Sequence, residues 1–178
     1  MKYLIASDIH GSAYYCRKLL DAFERENADR LILLGDLLYH GPRNDLPEGH
    51  DPKAVIAMLN GLKDKIFCVR GNCDTEVDQM VLEFPVMAEY ALMETNGKLI
   101  MLTHGHHYGA DNVPPCVDVM INGHTHVPLC EERNGVLCLN CGSVSLPKQN
   151  SAHSYMTLED GVFVWKDLDG AEFMRRAL

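Results

Sequence analysis

The chain has 178 residues, 47% hydrophobic and 23% charged, enough apolar material for one folded domain over residues 1–178 that needs neither disulfides nor a structural metal. Sixteen Lys and Arg against 25 Asp and Glu give a formal charge of −9, which counts against stable docking on nucleic acid or an anionic membrane through a basic patch. No apolar run approaches the ~18 residues of a membrane span, and the first residues lack a signal-peptide pattern. The seven Cys have no regular spacing and read as reduced thiols, so the expected compartment is the cytoplasm.

In chain order, Tyr3-Leu4-Ile5-Ala6 is a short apolar run that stops at Ser7-Asp8 and predicts a buried strand. Ser12 can cap the helix that follows, whose apolar face is Tyr15, Leu19, Ala22 and Phe23, ending near Asn27. Leu31-Ile32-Leu33-Leu34 predicts a second buried strand, closed by Gly35-Asp36. The stretch from Tyr39 to Pro52 is rich in Gly, Pro, Asn and Asp and reads as a long loop. Ala54 to Leu62 is expected to be helical, and Ile66-Phe67-Cys68-Val69 to be a third strand ending at Gly71-Asn72-Cys73-Asp74. Strands alternating in this way with helices indicate parallel βαβ units.

After Phe84-Pro85 the pattern turns to short strands. Asn96-Gly97 predicts a hairpin between Ala88–Thr95 and Leu99–Thr103. Val117–Ile121, Val127–Glu131, Val136–Leu139, Tyr155–Leu158 and Val162–Trp165 follow, with further tight turns at Asn134-Gly135 and Asp160-Gly161. The expected architecture is α/β: two sheets stacked as a sandwich, with helices on the outer faces.

Chemistry-bearing residues collect where the predicted strands stop: Asp8 and His10, Asp36, Asn72, His104, and His124 with His126. Ligands of open α/β sheets gather at the carboxyl ends of strands. In an extended Asp-x-His or His-x-His, residues i and i+2 point to the same side, so both are expected to reach one centre. Seven such ligands are too many for one ion with an open position. They point to two divalent ions, the usual device for in-line displacement at phosphorus. Imidazole plus carboxylate suits Mn²⁺, Zn²⁺, Fe²⁺ or Ni²⁺ better than Ca²⁺ or Mg²⁺. Cys138-Leu139-Asn140-Cys141 has the form C-x-x-C but no helix start and no second pair, so neither redox nor zinc-ribbon chemistry is expected there.

The ordered motifs are D-x-H (Asp8, His10), G-D (Gly35, Asp36), G-N-x-D (Gly71, Asn72, Asp74), H-G-H (His104 to His106) and G-H-T-H (Gly123 to His126). Together they resemble the calcineurin-like metallophosphoesterase superfamily. Ser7–Ser12, His40-Gly41-Pro42-Arg43-Asn44, Gly71-Asn72-Cys73-Asp74 and Asn140–Ser145 are similar to its small bacterial YfcE-type phosphodiesterases. The resemblance spans nearly the whole chain. It implies a four-layer αββα sandwich of two mixed β-sheets flanked by helices, two metal ions commonly Mn²⁺, and hydrolysis of a small-molecule phosphodiester by a hydroxide bridging the ions. It implies one ion held by Asp8, His10, Asp36 and His126 and another by Asp36, Asn72, His104 and His124. Asp36, Asn72, Cys73 and Asp74 are the expected catalytic residues, Asp74 by orienting groups behind the ligands. Arg43, Asn44 and Cys73 are the expected substrate contacts.

Most of the superfamily carries His where this chain has Cys73. A thiol is a weak acid beside imidazolium, so diesters with good leaving groups are expected to be the better substrates. Two other readings stay open: a phosphomonoesterase on the same site, and a non-catalytic scaffold like the retromer subunit that shares this fold. No surface feature fixes the oligomeric state, and a homo-oligomer is compatible with the sequence.

Overall fold

The computed structural model describes all residues, Met1–Leu178. Strands β1 (Tyr3–Ala6), β2 (Arg30–Leu33) and β3 (Ile66–Cys68) run parallel and are joined through helices α1 (Ala13–Arg25) and α2 (Pro52–Asn60). A hairpin, β4 (Tyr90–Thr95) and β5 (Lys98–Thr103), is followed by β6 (Val119–Asn122), β7 (Leu129–Arg133) and β8 (Val136–Asn140). These five form one mixed sheet in the order β4-β5-β6-β8-β7. The last strands, β9 (Ser154–Glu159), β10 (Val162–Asp167) and β11 (Glu172–Ala177), return to the first sheet, giving β11-β10-β9-β1-β2-β3 with β9 antiparallel to β1.

The continuous apolar runs of β1 and β2 are explained by burial on both faces. Leu4, Ala6, Leu31 and Leu33 pack under α1 and α2 with Leu19, Phe23, Val55 and Leu59. Ile5 and Ile32 point the other way, into a layer shared with Leu102, Ile121, Leu139, Phe163 and Trp165 of both sheets. The outer face of the second sheet packs Met101, Met120 and Cys138 against Tyr108, Ala110 and Val113 of the segment after β5. Both helix starts are capped by the chain itself: Ser12 accepts from the Tyr15 N–H (3.2 Å), and Asp51, directly before Pro52, accepts from the Ala54 N–H (3.1 Å).

Three elements lie outside the sequence expectations: a 3₁₀ turn at Lys63–Lys65, α3 (Glu76–Val81) and β11. Strand β7 begins at Leu129 because Pro128 has no N–H for the ladder, two residues later than the apolar pattern indicated. From Leu129 to Asn140 the strands pair as the Asn134-Gly135 turn requires.

Candidate metal centre

The carboxyl ends of β1, β2, β3, β5 and β6 meet along one rim, and the loops that leave them are stitched together by backbone. The Asp8 N–H donates to Gly35 O (3.1 Å), the His10 N–H to Asp36 O (2.9 Å) and the Gly123 N–H to His104 O (2.9 Å). The Asn140–Ser145 stretch closes this frame from the second sheet. There the Ser143 and Ser145 hydroxyls both donate to the Asp8 carbonyl (3.1 and 3.0 Å), and the Val144 N–H donates to Ser7 O (3.0 Å).

The loops are not extended, contrary to the alternation expected from Asp-x-His and His-x-His. Asp8 (φ 61°), His10 (φ 50°), Asp36 (φ 56°), His124 (φ 66°) and His126 (φ 63°) all occupy the left-handed region. Each such residue costs on the order of 1 kcal/mol, and such conformations persist where the surroundings over-determine them. The sharp local turns, not strand periodicity, aim these side chains inward. Glycine supplies the room: a Cβ on Gly71 would overlap the Asp36 carboxylate, and one on Gly123 would overlap Ser7 and Asp8.

All seven predicted side chains converge in two groups that share Asp36. In the first, Asp8 Oδ1 lies 3.2 Å from His126 Nε2 and 3.5 Å from His10 Nε2. His10 Nε2 also lies 3.7 Å from Asp36 Oδ2. In the second, His104 Nε2 lies 3.1 Å from Asn72 Oδ1, 3.2 Å from His124 Nδ1 and 3.4 Å from the same Asp36 Oδ2. Asp36 Oδ1 is turned away and accepts the Cys73 N–H (2.8 Å).

Asp74 does not face the cleft. Its Oδ2 accepts the Asp36 and Gly71 N–H groups (2.8 and 2.7 Å) and its Oδ1 the Leu37 N–H (2.9 Å). It ties the β2 and β3 loops together from behind the ligand groups, a placement in keeping with an orienting role. Cys73 is buried with its Sγ 3.2 Å from Asn72 Nδ2. Burial, then the Asp36 carboxylate, push its thiol well above the ordinary range. Arg43 and Asn44 line a cleft of about 440 Å³ that opens onto Asp36, Asn72, His124 and His126. The Asn44 amide spends one of its N–H groups on His40 O (2.7 Å), which holds the loop.

The same cleft is lined by Thr125 and Lys148, neither of which the motifs signalled. Lys148 stands 22 positions after His126 in sequence, and its N–H donates to the His126 carbonyl (3.2 Å). Only that backbone closure reveals it. His107 sits outside the ligand groups, with its Nδ1 on Glu89 (2.9 Å), and His106 is beside His104 with ring centroids 5.5 Å apart.

A model of the calcineurin-like phosphoesterase superfamily domain matches residues 1–160. The chain belongs to that superfamily. It is 45% identical over 164 residues to the phosphodiesterase YfcE of Escherichia coli strain K12, covering 91% of this chain and 89% of that one. The solved structure of YfcE, a phosphoesterase from E. coli, superposes with a TM-score of 0.95 at 42% identity over 99% of both chains. Vps29 of Entamoeba histolytica, solved in complex with Zn²⁺, gives a TM-score of 0.61 at 21% identity over 99% of both chains, a likeness of fold alone.

Metallophosphoesterases work with divalent metal ions, and the donor set here fits them on its own geometry. The Nδ1–H groups of His10, His104 and His126 donate to the carbonyls of Tyr39 (2.7 Å), Leu34 (2.6 Å) and Leu146. Each Nε2 therefore presents a lone pair, the second-sphere arrangement that orients metal-binding imidazoles. Yet His10 Nε2 faces His126 Nε2 at 3.3 Å, His104 Nε2 faces the Asn72 carbonyl oxygen, and Asp8 Oδ1 is fully buried without a hydrogen-bond partner. Acceptors crowded on acceptors need a positive charge between them.

A proton is the smallest charge that serves. Burial works against protonating His104, but contact with Asp36 and the charges of Asp8 and Asp36 outweigh it and raise the ring to about 9. His10 is raised too, against burial, by Asp8. A metal ion must displace the His104 proton, so affinity for divalent ions is expected to fall as pH drops below about 9, by up to about tenfold per pH unit for each proton released. Calorimetric titration with Mn²⁺ in buffers of different ionisation enthalpy reads this directly, with protons released at pH 7 and far fewer at pH 10.

Proposed function

We propose that the protein is a metal-dependent phosphodiesterase that hydrolyses a small-molecule phosphodiester at a dinuclear centre. Asp8, His10, Asp36 and His126 hold one ion, and Asp36, Asn72, His104 and His124 the other. Mn²⁺ is the favoured ion, with Zn²⁺, Fe²⁺ and Ni²⁺ as alternatives compatible with the ligands. The observation that carries this reading is the placement of one carboxylate oxygen, Asp36 Oδ2, within 3.4 and 3.7 Å of imidazole nitrogens from two separate ligand groups. Bound there, a pair of divalent ions supplies Lewis acidity for the phosphoryl oxygens and an acidified water at neutral pH.

The chain's own side chains do the rest. Asp36 and Asp8 are held ionised against their burial by His104 and by His10 with His126 respectively, so the carboxylates stay available as ligands. Asn72 has its amide at the mouth of the cleft, facing the space that the phosphoryl group would enter, and Arg43 lines the same cleft as a substrate contact. Burial and the Asp36 carboxylate push the Cys73 thiol up, which makes it a weak acid for a poor leaving group.

All seven cysteines are free, in keeping with a reducing, cytoplasmic setting; no helix is long and apolar enough to cross a membrane. The −9 charge supports a small-molecule substrate over nucleic acid.

Parallel assays test the reading. After chelation and dialysis, bis(4-nitrophenyl) phosphate turnover should be lost and should return with Mn²⁺. It should exceed 4-nitrophenyl phosphate turnover, and an alkyl diester should be slower than the aryl one by about 10²-fold or more, the factor that a competent general acid supplies. Faster monoester turnover would make the protein a phosphomonoesterase, and no turnover with any of the four ions would favour the scaffold.

A further inference from the structure

The cleft over the candidate centre carries more positive charge than the reacting group requires. Nine of the sixteen lysines and arginines hold a carboxylate within 4.0 Å. Arg25 and Arg30 donate to chain oxygens instead. Five, Arg17, Arg43, Lys53, Lys65 and Lys148, do neither, in a chain with a surplus of acidic groups, and of these Arg43 and Lys148 line the cleft that opens on Asp36 and Asn72. The only carboxylate lining that cleft is Asp36 itself. Left unpaired at the rim of a concave, polar cleft, such cations concentrate anions there.

Their placement is built into the backbone. Lys148 opens a tight turn in which Gln149 (φ 54°) and Asn150 (φ 60°) are both left-handed. The turn is closed by the Ser151 N–H and hydroxyl on Lys148 O (3.0 and 2.7 Å), and the Ser151 hydroxyl also reaches His126 O (3.3 Å). Because the Lys148 N–H is itself on His126 O, its Cα is fixed relative to a candidate ligand. Arg43 is carried by the loop after His40, which Asn44 pins and Gly41 (φ 82°) lays close against Cys73. Two separate loops thus deliver one guanidinium and one ammonium to a common space.

We propose that Arg43 and Lys148 form an anion subsite for a second negatively charged group of the substrate, a phosphate or a carboxylate carried on one arm of the diester. The inference rests on the phosphodiesterase reading and narrows it to diesters with at least one charge beyond the scissile phosphate. A phosphodiester has a single negative charge, and two divalent ions facing two carboxylates and the attacking hydroxide still leave about one positive charge to match it. The guanidinium and ammonium are therefore available for another anion. The guanidinium can bind it bidentately, and the ammonium supplies a point charge.

Calorimetry on the Mn²⁺-loaded protein tests this with three ligands: 3-hydroxypropyl phosphate, propane-1,3-diol bisphosphate and 3-carboxypropyl phosphate. The wild type should prefer one of the ligands that carry a second anionic group over the hydroxyl one by about tenfold or more, an advantage that shrinks with added salt. Which of the two is preferred identifies the second anion. In Lys148→Met and in Arg43→Met the preference ratio should each time fall by about 5- to 10-fold, the net worth of one solvent-exposed hydrogen bond, and Lys148→Arg should keep most of it. A wild type without preference, or ratios that stay constant in both methionine variants, overturns the subsite. Nitrophenol release from a 4-nitrophenyl propyl phosphodiester, run in parallel, judges the parent reading separately. Its absence would remove the phosphodiesterase while the ligand ratios still decide the subsite.

Discussion

Replacing Asp36 by Asn is expected to lower turnover of an aryl phosphodiester by about 10³-fold or more. The substitution is nearly isosteric, and the amide oxygen can keep the Cys73 N–H that Asp36 Oδ1 accepts at 2.8 Å. What changes is the other position. An NH₂ group would stand where Oδ2 now lies 3.4 Å from His104 Nε2 and 3.7 Å from His10 Nε2, turning its hydrogens toward the space in which both ligand groups need a cation. One atom thereby weakens two sites at once, an effect that no other single ligand can have. Elemental analysis should show the metal content falling from about two ions per chain to less than one. The circular dichroism spectrum should be unchanged, because the fold-defining contacts of this residue are its backbone bonds to His10 and Asp74. A variant that retains both ions and full turnover would remove Asp36 from the shared position.

The side chains that would converge were legible in the sequence because each stands beside a feature with its own signature: an apolar run that stops, a glycine, a second His two places on. The manner of their convergence was not. Period-2 reasoning predicts that Asp8 and His10 share a side of an extended segment, whereas both residues have positive φ and turn sharply. Left-handed backbone at Asp and His leaves no compositional trace, since it is imposed by the surrounding hydrogen bonds rather than chosen by the residue. The chain order of the strands was equally legible, but their assembly was not: the pairing of Tyr3 with Leu158 joins the two ends of the chain, and no local pattern encodes it. Helix α3 escaped notice because its apolar residues Val77, Met80 and Val81 are exposed rather than aligned on a buried stripe. Strand β11 escaped notice because it is a mostly exposed edge, with Arg175 and Arg176 where a core strand would show aliphatic residues. Lys148 was invisible for a related reason, having no motif around it and acquiring its place only through a bond to His126.

Asp74 shows how much of the centre depends on a residue that never faces it. It is 1% exposed, and its two oxygens accept three backbone N–H groups, from Asp36, Leu37 and Gly71. Burial, with the nearby Asp36 charge, raises its carboxyl above the ordinary value, while those three donors pull the other way without fully offsetting them. Its work is therefore geometric more than electrostatic, and the order of its substitutions follows. Asp74→Ala strands three buried donors and should destabilise the fold by about 3–5 kcal/mol, each unpaired donor costing about 1–3 kcal/mol with partial relaxation. Asp74→Asn keeps one acceptor oxygen for two of the donors and opposes the third with its own NH₂, so about 1–3 kcal/mol is expected. In the asparagine variant, folded at low temperature, Mn²⁺ affinity should still drop by about 10- to 100-fold, as when the partners of metal ligands are removed elsewhere. The loops that carry Asp36 and Asn72 are no longer locked together, and left-handed Asp36 can relax toward ordinary backbone. Thermal melts and Mn²⁺ titrations on the same samples separate the two effects. A lowered melting temperature with unchanged Mn²⁺ affinity would confine Asp74 to holding the fold, and a joint loss would tie the geometry of the shared carboxylate to this buried clamp.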